Sequence, residues 1–162
     1  MPTNLYGPND NFDLKAAHVL PALIRKFHEA KGSPNHPIKQ SSNQSVVLWG
    51  TGKPKREFLY VDDLADACIY LMNKVNAKEV YDKDITHLNI GTGKDLSINE
   101  LADLIAEVVG YKGDIEHDTT KPDGTPRKLL DISRIQSLGW NPKIGLKQGV
   151  ELTYNWFLNN YT

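Results

Sequence analysis

The stretch from Trp49 to Asp63 constrains the fold more than any other part of this 162-residue chain. An apolar run, Val46 to Trp49, predicts a strand that breaks at the Gly-Thr-Gly turn of residues 50–52. Three cations follow, then a second apolar run and the two aspartates at which a helix begins. Glycines that let backbone approach a ligand, an aromatic ring and an arginine indicate an anion pocket. A β-hairpin with a solvated basic tip is the alternative interpretation.

The overall composition limits the classes of protein to consider. Hydrophobic residues make up 40% of the chain and charged residues 24%, which is typical of a soluble globular domain. No run approaches the roughly 20 apolar residues of a membrane span, and the first residues do not form a secretory signal, so we predict a cytoplasmic protein. The net charge of −1 argues against bulk electrostatic binding to nucleic acid or membranes. Any anion site must therefore be local.

The chain contains one cysteine, Cys68, which excludes an intrachain disulfide. It falls on the apolar face of the helix predicted from Asp62 to Val75, so we expect it to pack in the core of a protein from a reducing compartment. We expect Asp62 or Asp63 to cap that helix. None of the five histidines has a histidine at i+4 and there is no cysteine pair, so we predict no metal site.

The remaining pattern consists of short strands and amphipathic helices, which predicts an α/β fold. One helix, closed by Gly110, begins at Ser97 with Glu100 three residues on, the signature of a capping box. The other predicted elements are helices over about 16–30, 133–138 and 146–159, and short strands at 87–90 and 113–118.

Two loops and the first residues stand out. Gly32 to Ser45 is polar and has no periodicity, so we predict a mobile insertion. Lys121 to Lys128 contains two prolines and an Asp-Gly turn, which hold its cations in a pre-organised loop and lower the ordering cost of binding. Met1 to Pro8 reads as the end of an apolar strand that runs into a Gly-Pro turn. A strand end without its strand suggests part of a larger protein.

Several patterns have ordinary structural explanations when taken alone. Tyr70 and Lys74 have the Tyr-x-x-x-Lys spacing of short-chain dehydrogenases, but they end an amphipathic helix, and we interpret the match as coincidence. Gly91-Thr92-Gly93 resembles half of a dinucleotide-binding turn, but Leu96 stands in place of the third glycine, so we interpret it as a tight strand-to-helix turn. His18, at the start of a helix, is compatible with a locally bonded histidine.

Six signatures in one order resemble the extended short-chain dehydrogenase/reductase family, over nearly the whole chain except residues 32–45. They are the segments Pro2–Pro8, Trp49–Asp63, Asn89–Gly93, Lys121–Asp131, Leu138–Trp140 and Trp156–Leu158. The Asn-Leu-Tyr-Gly-Pro and Arg-Glu-Phe-x-x-Val-Asp-Asp motifs occur in many nucleotide-sugar epimerases and dehydratases. The Lys-Pro-Asp-Gly-Thr-Pro-Arg-Lys loop resembles the branch that epimerises and reduces GDP-4-keto-6-deoxy-D-mannose.

This resemblance implies an arrangement of domains. Residues 1–162 would be the substrate-binding C-terminal portion, with the end of the Rossmann fold, a small sheet and helices. The family's glycine-rich loop, its Ser-Tyr-Lys group and its epimerase cysteine would all precede Pro2, and Cys68 belongs to a different motif. The resemblance therefore implies that this chain is inactive alone, and that the full-length enzyme is a homodimer that binds NADP.

The resemblance also implies roles for particular residues. His18 matches the acid/base group of the epimerisation, and an imidazole exchanges protons near neutral pH. Four consecutive residues match the segment along the nicotinamide end of NADP: Pro2, Thr3, Asn4 and Leu5. The GDP-sugar site is implied to comprise Asn4, Lys26, Trp49, Arg56 and Lys128. Relatives often carry Arg where this chain has Lys26, and a lysine cannot form the two parallel hydrogen bonds to phosphate that an arginine can. They often carry His in place of Tyr60, to which we assign no role.

Two alternatives remain open. The chain is compatible with another NAD(P)-dependent nucleotide-sugar epimerase or dehydratase. Such a protein would be expected to have a different sequence in place of the Lys121–Lys128 loop, and here the loop is not replaced. The chain is also compatible with a stand-alone nucleotide-sugar binding module without catalysis.

Overall fold

The computed structural model describes residues 1–32, 45–81 and 86–161. The predicted insertion at residues 32–45 lies outside this part of the chain, apart from its two end residues. The elements are β1 (Asn4–Tyr6), α1 (Val19–Lys31), β2 (Val46–Trp49), β3 (Lys55–Tyr60), α2 (Val61–Lys74), α3 (Ala77–Tyr81), β4 (Asp95–Ser97), α4 (Ile98–Val109), β5 (Ile115–Asp118), β6 (Arg127–Lys128), α5 (Ser133–Ser137) and α6 (Leu146–Asn160). The mixture of helices with parallel strand pairs confirms the α/β prediction.

Strand β3 organises the larger sheet. Its second half pairs in parallel with β1, and its first half pairs with β4 on one side and with β6 on the other. The β3–β6 register places Arg56 opposite Lys128. Two predicted substrate-binding residues that are far apart in sequence therefore lie on neighbouring strands.

The smaller sheet pairs β2 with β5 in parallel, and its register places Trp49 opposite Asp118. The predicted boundaries of β2 are confirmed. Gly50 and Gly52 have φ angles of 75° and 70°, a left-handed conformation that glycine adopts without a steric penalty. The β-hairpin interpretation is wrong, because β2 and β3 belong to different sheets.

The core lies mainly between α1, α4, α6 and the larger sheet. Helix α4 has the predicted capping box: Ser97 Oγ accepts from Glu100 N, and Glu100 accepts in turn from Ser97 N. Gly110 closes this helix in the left-handed conformation. The predicted strand at residues 87–90 is wrong, because Ile90 makes only an isolated bridge, to Pro2.

Helix α2 corrects two predictions. Its N-cap is Tyr60, and Asp63 lies inside the helix, buried, where it accepts hydrogen bonds from Lys143 N and Ile144 N. Cys68 is exposed and does not pack in the core. Ala67 is the apolar residue that α2 buries, and Cys68 lies about 100° further round the helix. The described helices include none that is long and apolar enough to cross a membrane.

Candidate functional site

A cavity of about 670 Å³ opens where β1 ends and α1 begins. It brings together six of the predicted site residues: Thr3, Asn4, Leu5, His18, Arg56 and Lys128. Pro2, Lys26 and Trp49 are not among its lining residues. The predicted site therefore consists of a cavity and a second region around Trp49, described below.

The wall formed by β1 is held by the backbone of Glu57. Asn4 Nδ2 donates to the Glu57 carbonyl oxygen at 2.7 Å, and Thr3 Oγ1 donates to the same oxygen at 3.3 Å. Leu5 is half-buried against a second apolar cluster that includes Leu59. The cavity lies at the carboxyl end of β1, the position at which α/β sheets bind ligands. Pro2 is exposed and pairs with Ile90, outside the cavity.

His18 reaches the cavity from the start of α1. It is the N-cap residue, with φ −67° and ψ 164°, and its side chain makes no capping hydrogen bond. The residue is exposed at the cavity wall. Its imidazole is therefore not engaged in helix capping. A capping role would have explained this histidine without any function. Tyr60, to which we assign no role, is buried with its ring edge-on to Tyr6.

Asp10 is a cavity residue that the sequence did not single out, because Asn9-Asp10-Asn11 resembles ordinary turn chemistry. Asn9 has a φ of 64°, which directs the chain so that Asp10 lies in the cavity wall. Asp10 Oδ1 accepts from Asn11 N at 2.7 Å, whereas Oδ2 is buried and has no hydrogen-bond partner within the described chain. Burial raises the pKa of Asp10, an effect opposed by the Asn11 hydrogen bond and by the charge of His18.

We predict that Asp10→Asn stabilises the chain at pH 7. Because the folded pKa lies above the unfolded one, the ionised carboxylate opposes folding, and this penalty grows as the pH rises from below the unfolded value of about 3.9. The gain should reach at most about 1 kcal/mol, since the residue is half-exposed and solvent screens its charge.

Urea denaturation at pH 7 and pH 5 measures this effect, and the gain should shrink at the lower pH. The control is Asp13→Asn, since Asp13 Oδ1 is exposed and accepts from the amides of Lys15 and Ala16, a role that asparagine retains. A loss of stability of equal size at both pH values would contradict the burial argument.

The loop from Lys121 to Lys128 is fastened along its length. Arg56 Nη1 donates to Thr125 O at 2.6 Å, and Lys55 N donates to Pro126 O at 2.8 Å. Thr51 donates through its amide and its hydroxyl to the Asp123 carboxylate, at 2.8 and 2.7 Å. Those hydrogen bonds hold the pKa of Asp123 below its usual value. The loop is therefore fixed both to the turn after β2 and to β3.

The second region is an aromatic shelf, by which we mean Trp49 with the ammonium groups of Lys26 and Lys121. The Trp49 side chain is 68% exposed. Lys26 Nζ lies 5.8 Å and Lys121 Nζ 5.9 Å from the ring centroid, both within cation–π range. Burial lowers the pKa of Lys26. Lys121 is another residue that the sequence did not single out, although its loop had been recognised.

Glu57 links the cavity wall to the turn at residues 91–93 and to Leu130, just after the loop. Its carboxylate is fully buried and accepts from Thr92 N at 2.6 Å, Gly93 N at 2.7 Å and Leu130 N at 3.0 Å. A Cβ at Gly91 would lie 2.3 Å from Glu57 Oε1, so this turn requires glycine. The amides of Thr92 and Gly93 bind an internal carboxylate, which supports the interpretation of a tight turn. The Tyr70 hydroxyl donates to Leu138 O at 3.0 Å, a structural hydrogen bond that supports the interpretation of the Tyr70–Lys74 spacing as a coincidence.

The two regions together suit a ligand with an aromatic end and an anionic centre. Arg56 and Lys128 line the cavity, whereas Lys26 and Lys121 flank Trp49. The loop joins them, with Lys121 at one end and Lys128 at the other. An aromatic platform stacks a base, and arginine and lysine bind phosphate oxygens, so the arrangement suits a nucleoside diphosphate whose substituent enters the cavity.

The fold and this site define a class. A sequence model of the NAD dependent epimerase/dehydratase family matches residues 1–91, and the chain belongs to that family. Among curated proteins, the chain is 54% identical over 160 residues to GDP-L-fucose synthase 1 of Arabidopsis thaliana, and 52% identical over 164 residues to the GDP-L-fucose synthase of Escherichia coli K12.

Both matches cover 99% of this chain, but 45% and 48% of the respective relatives. The chain thus spans about half the length of the curated relatives it matches. A solved structure of a GDP-L-fucose synthetase from Naegleria fowleri bound to NADP is 30% identical, with a TM-score of 0.83, and the match covers 99% of this chain and 45% of that one.

Proposed function

We propose that this chain is the GDP-sugar-binding C-terminal portion of a GDP-L-fucose synthase. That enzyme would convert GDP-4-keto-6-deoxy-D-mannose to GDP-L-fucose by 3,5-epimerisation and NADPH-dependent reduction at C4. The observation that carries the proposal is the convergence of His18, Arg56 and Lys128 on one cavity, in a chain more than 50% identical to proteins with that name.

Binding would be divided between the two regions. The guanine stacks on Trp49, whose ring is exposed enough to accept it. The pyrophosphate lies between Arg56 and Lys128, whose backbones pair in register. Lys26 adds positive charge beside the base. The sugar then enters the cavity, beside Asn4.

His18 would act as the acid/base group. The C4 ketone acidifies the hydrogens at C3 and C5, so a positioned imidazole can exchange a proton on one face of the carbon while a second group exchanges the proton on the opposite face, which inverts the configuration. Supporting this role, the ring lies at the cavity wall and makes no helix-capping bond. The second proton donor would come from the part of the enzyme that precedes Pro2.

The residues at the end of β1 fit the edge of a dinucleotide site. Thr3 and Asn4 bind the Glu57 carbonyl with their side chains, so the segment presents a fixed surface to the cavity. Pro2 and Leu5 flank this segment and complete the contact proposed for the nicotinamide end. When bound, NADPH supplies the hydride for reduction at C4.

Catalysis would require residues beyond these 162. The Rossmann glycine-rich loop and the Ser-Tyr-Lys group are not part of this sequence. We therefore propose that the chain alone does not reduce a 4-keto sugar. From the resemblance to the family, we also propose that the full-length enzyme is a cytoplasmic homodimer. The identity of the relatives favours this reading over another epimerase or dehydratase, and over a stand-alone binding module.

The proposal predicts that His18→Asn in the full-length enzyme slows epimerisation at least about 100-fold, the lower end of the range for loss of a general acid/base. The assay follows NADPH consumption with GDP-4-keto-6-deoxy-D-mannose, and exchange of the C3 and C5 hydrogens with D₂O. His28→Asn is the matched control, because His28 lies on α1 and bonds Tyr154 at 3.1 Å, away from the cavity. Unchanged exchange in His18→Asn would contradict the assigned role.

A further inference from the structure

Lys121 lies over Trp49 because of the backbone geometry at the end of the smaller sheet. Trp49 pairs with Asp118 in the β2–β5 register. Immediately after β5, Lys121 N donates to Asp118 O at 3.2 Å, which closes a turn and returns the chain toward the ring. The Lys121 ammonium then lies 5.9 Å from the ring centroid. Its placement follows from the sheet and is independent of the cavity.

The two lysines of the aromatic shelf differ in how firmly they are held. Lys26 Nζ donates to the Val47 carbonyl at 3.0 Å, and the residue is half-buried. Lys121 is exposed, and within the described chain its ammonium lies over the Trp49 ring without a hydrogen bond or ion pair that would fix it there. The neighbouring acid is Asp118, whose pKa is lowered mainly by the Thr120 hydroxyl and only to a lesser degree by Lys121. Lys121 can therefore leave the ring, whereas Lys26 is anchored.

A base that stacks on Trp49 would displace the Lys121 ammonium from the face of the ring. Stacking of a nucleobase on an aromatic side chain is worth more than an exposed cation–π contact. The displaced ammonium is tethered by the turn after Asp118, so it remains beside the edge of the stacked base. The cavity cations, Arg56 and Lys128, lie at the far end of the loop, where the phosphates would bind.

Which nucleotide gains affinity from Lys121 depends on the groups at the base edge that its ammonium can reach. Guanine presents two acceptors, O6 and N7, to a lysine donor, whereas adenine places its N6 amino donors beside N7. We infer that Lys121 is a specificity-determining residue, which donates to the O6/N7 edge of a guanine stacked on Trp49 and thereby favours guanine over adenine nucleotides. This inference rests on the proposed function, which places a guanine on Trp49.

The test is the affinity of Lys121→Met for GDP and for ADP, measured by titration calorimetry and by intrinsic tryptophan fluorescence. GDP should bind about 10-fold more weakly than to the unsubstituted chain, the size expected for one lost base-edge contact, while the affinity for ADP changes less than about 2-fold. Lys121→Arg should retain the preference for GDP. Lys74→Met, at the exposed end of α2, is the matched control and should change neither affinity.

Three results would overturn the inference. Equal losses for GDP and ADP would assign Lys121 to phosphate binding or to loop structure. An unchanged ratio with unchanged affinities would show that Lys121 does not contact the nucleotide. If the unsubstituted chain, verified as folded, binds no GDP, the proposed function falls together with the inference, whereas the first two results leave the proposed function standing.

Discussion

Arg56→Ala is expected to weaken GDP binding about 100-fold, the largest effect on affinity that we predict. A charge-assisted hydrogen bond to phosphate contributes about 1.5–3 kcal/mol, and a factor of ten corresponds to 1.4 kcal/mol. Arg56 also donates to Thr125 O at 2.6 Å, so its removal loosens the loop that carries Lys128. Two contacts with the pyrophosphate are affected by one substitution. Titration calorimetry of GDP into the folded variant measures the loss.

Two further variants separate charge from geometry at this position. Arg56→Lys keeps the charge but loses the planar fork, so its affinity should fall between those of the unsubstituted chain and Arg56→Ala. Arg134→Ala, on α5, removes an exposed arginine that does not line the cavity and should leave binding unchanged. If Arg56→Ala bound GDP as tightly as the unsubstituted chain, the phosphates would not lie where we place them.

Glu57→Gln is expected to have the largest effect on stability, a loss of about 3 kcal/mol in the free energy of unfolding. The buried carboxylate accepts from Thr92 N and Gly93 N on one oxygen and from Leu130 N on the other. A glutamine has only one side-chain oxygen, so its amino group must face at least one of these backbone donors. Each buried donor left unsatisfied costs about 1–3 kcal/mol.

Urea denaturation monitored by circular dichroism measures this loss. Glu116→Gln, at an exposed position on β5, is the matched control and should change the free energy of unfolding by less than about 0.5 kcal/mol. A similarly small change for Glu57→Gln would mean that the three amides find other partners. In that case the carboxylate would not be what holds the turn at Gly91–Gly93 to Leu130.

The sequence predicted the elements whose signals are local. Helix α4 has its capping box at Ser97 and its closing glycine at Gly110, and strand β2 is an apolar run bounded by a glycine turn. Helix α1 buries Leu20, Leu23, Ile24 and Phe27, apolar residues spaced three or four positions apart as on one face of a helix. Such signals are contained within about 15 residues, so no knowledge of the remaining chain is needed.

The features that the sequence missed depend on contacts between distant segments. Strand β6 has two residues and exists because it pairs with β3, about 70 positions earlier in the chain. Cys68 looked buried because it shares an apolar helix, but only tertiary packing decides which side of α2 faces the core. The role of Glu57 depends on amides at Thr92, Gly93 and Leu130, and nothing near Glu57 in sequence indicates them.

The residues of the candidate site likewise include some that the sequence predicted and some that it missed. The resemblance placed His18, Arg56 and Lys128 in one site, and all three line the same cavity. It could not reveal the buried oxygen of Asp10, which depends on the turn at Asn9, or the position of Lys121 over Trp49, which depends on the β2–β5 register. Both depend on backbone geometry, which local residue types alone do not specify.

The most direct test of the central claim is a calorimetric titration of GDP-L-fucose into the 162-residue chain, with circular dichroism to verify that the sample is folded. We predict one ligand bound per chain, competition by GDP, and binding that is strongly weakened in both Trp49→Ala and Lys128→Ala. A folded sample that gives no heat of binding with GDP-L-fucose or with GDP would contradict the assignment of these residues to a GDP-sugar site.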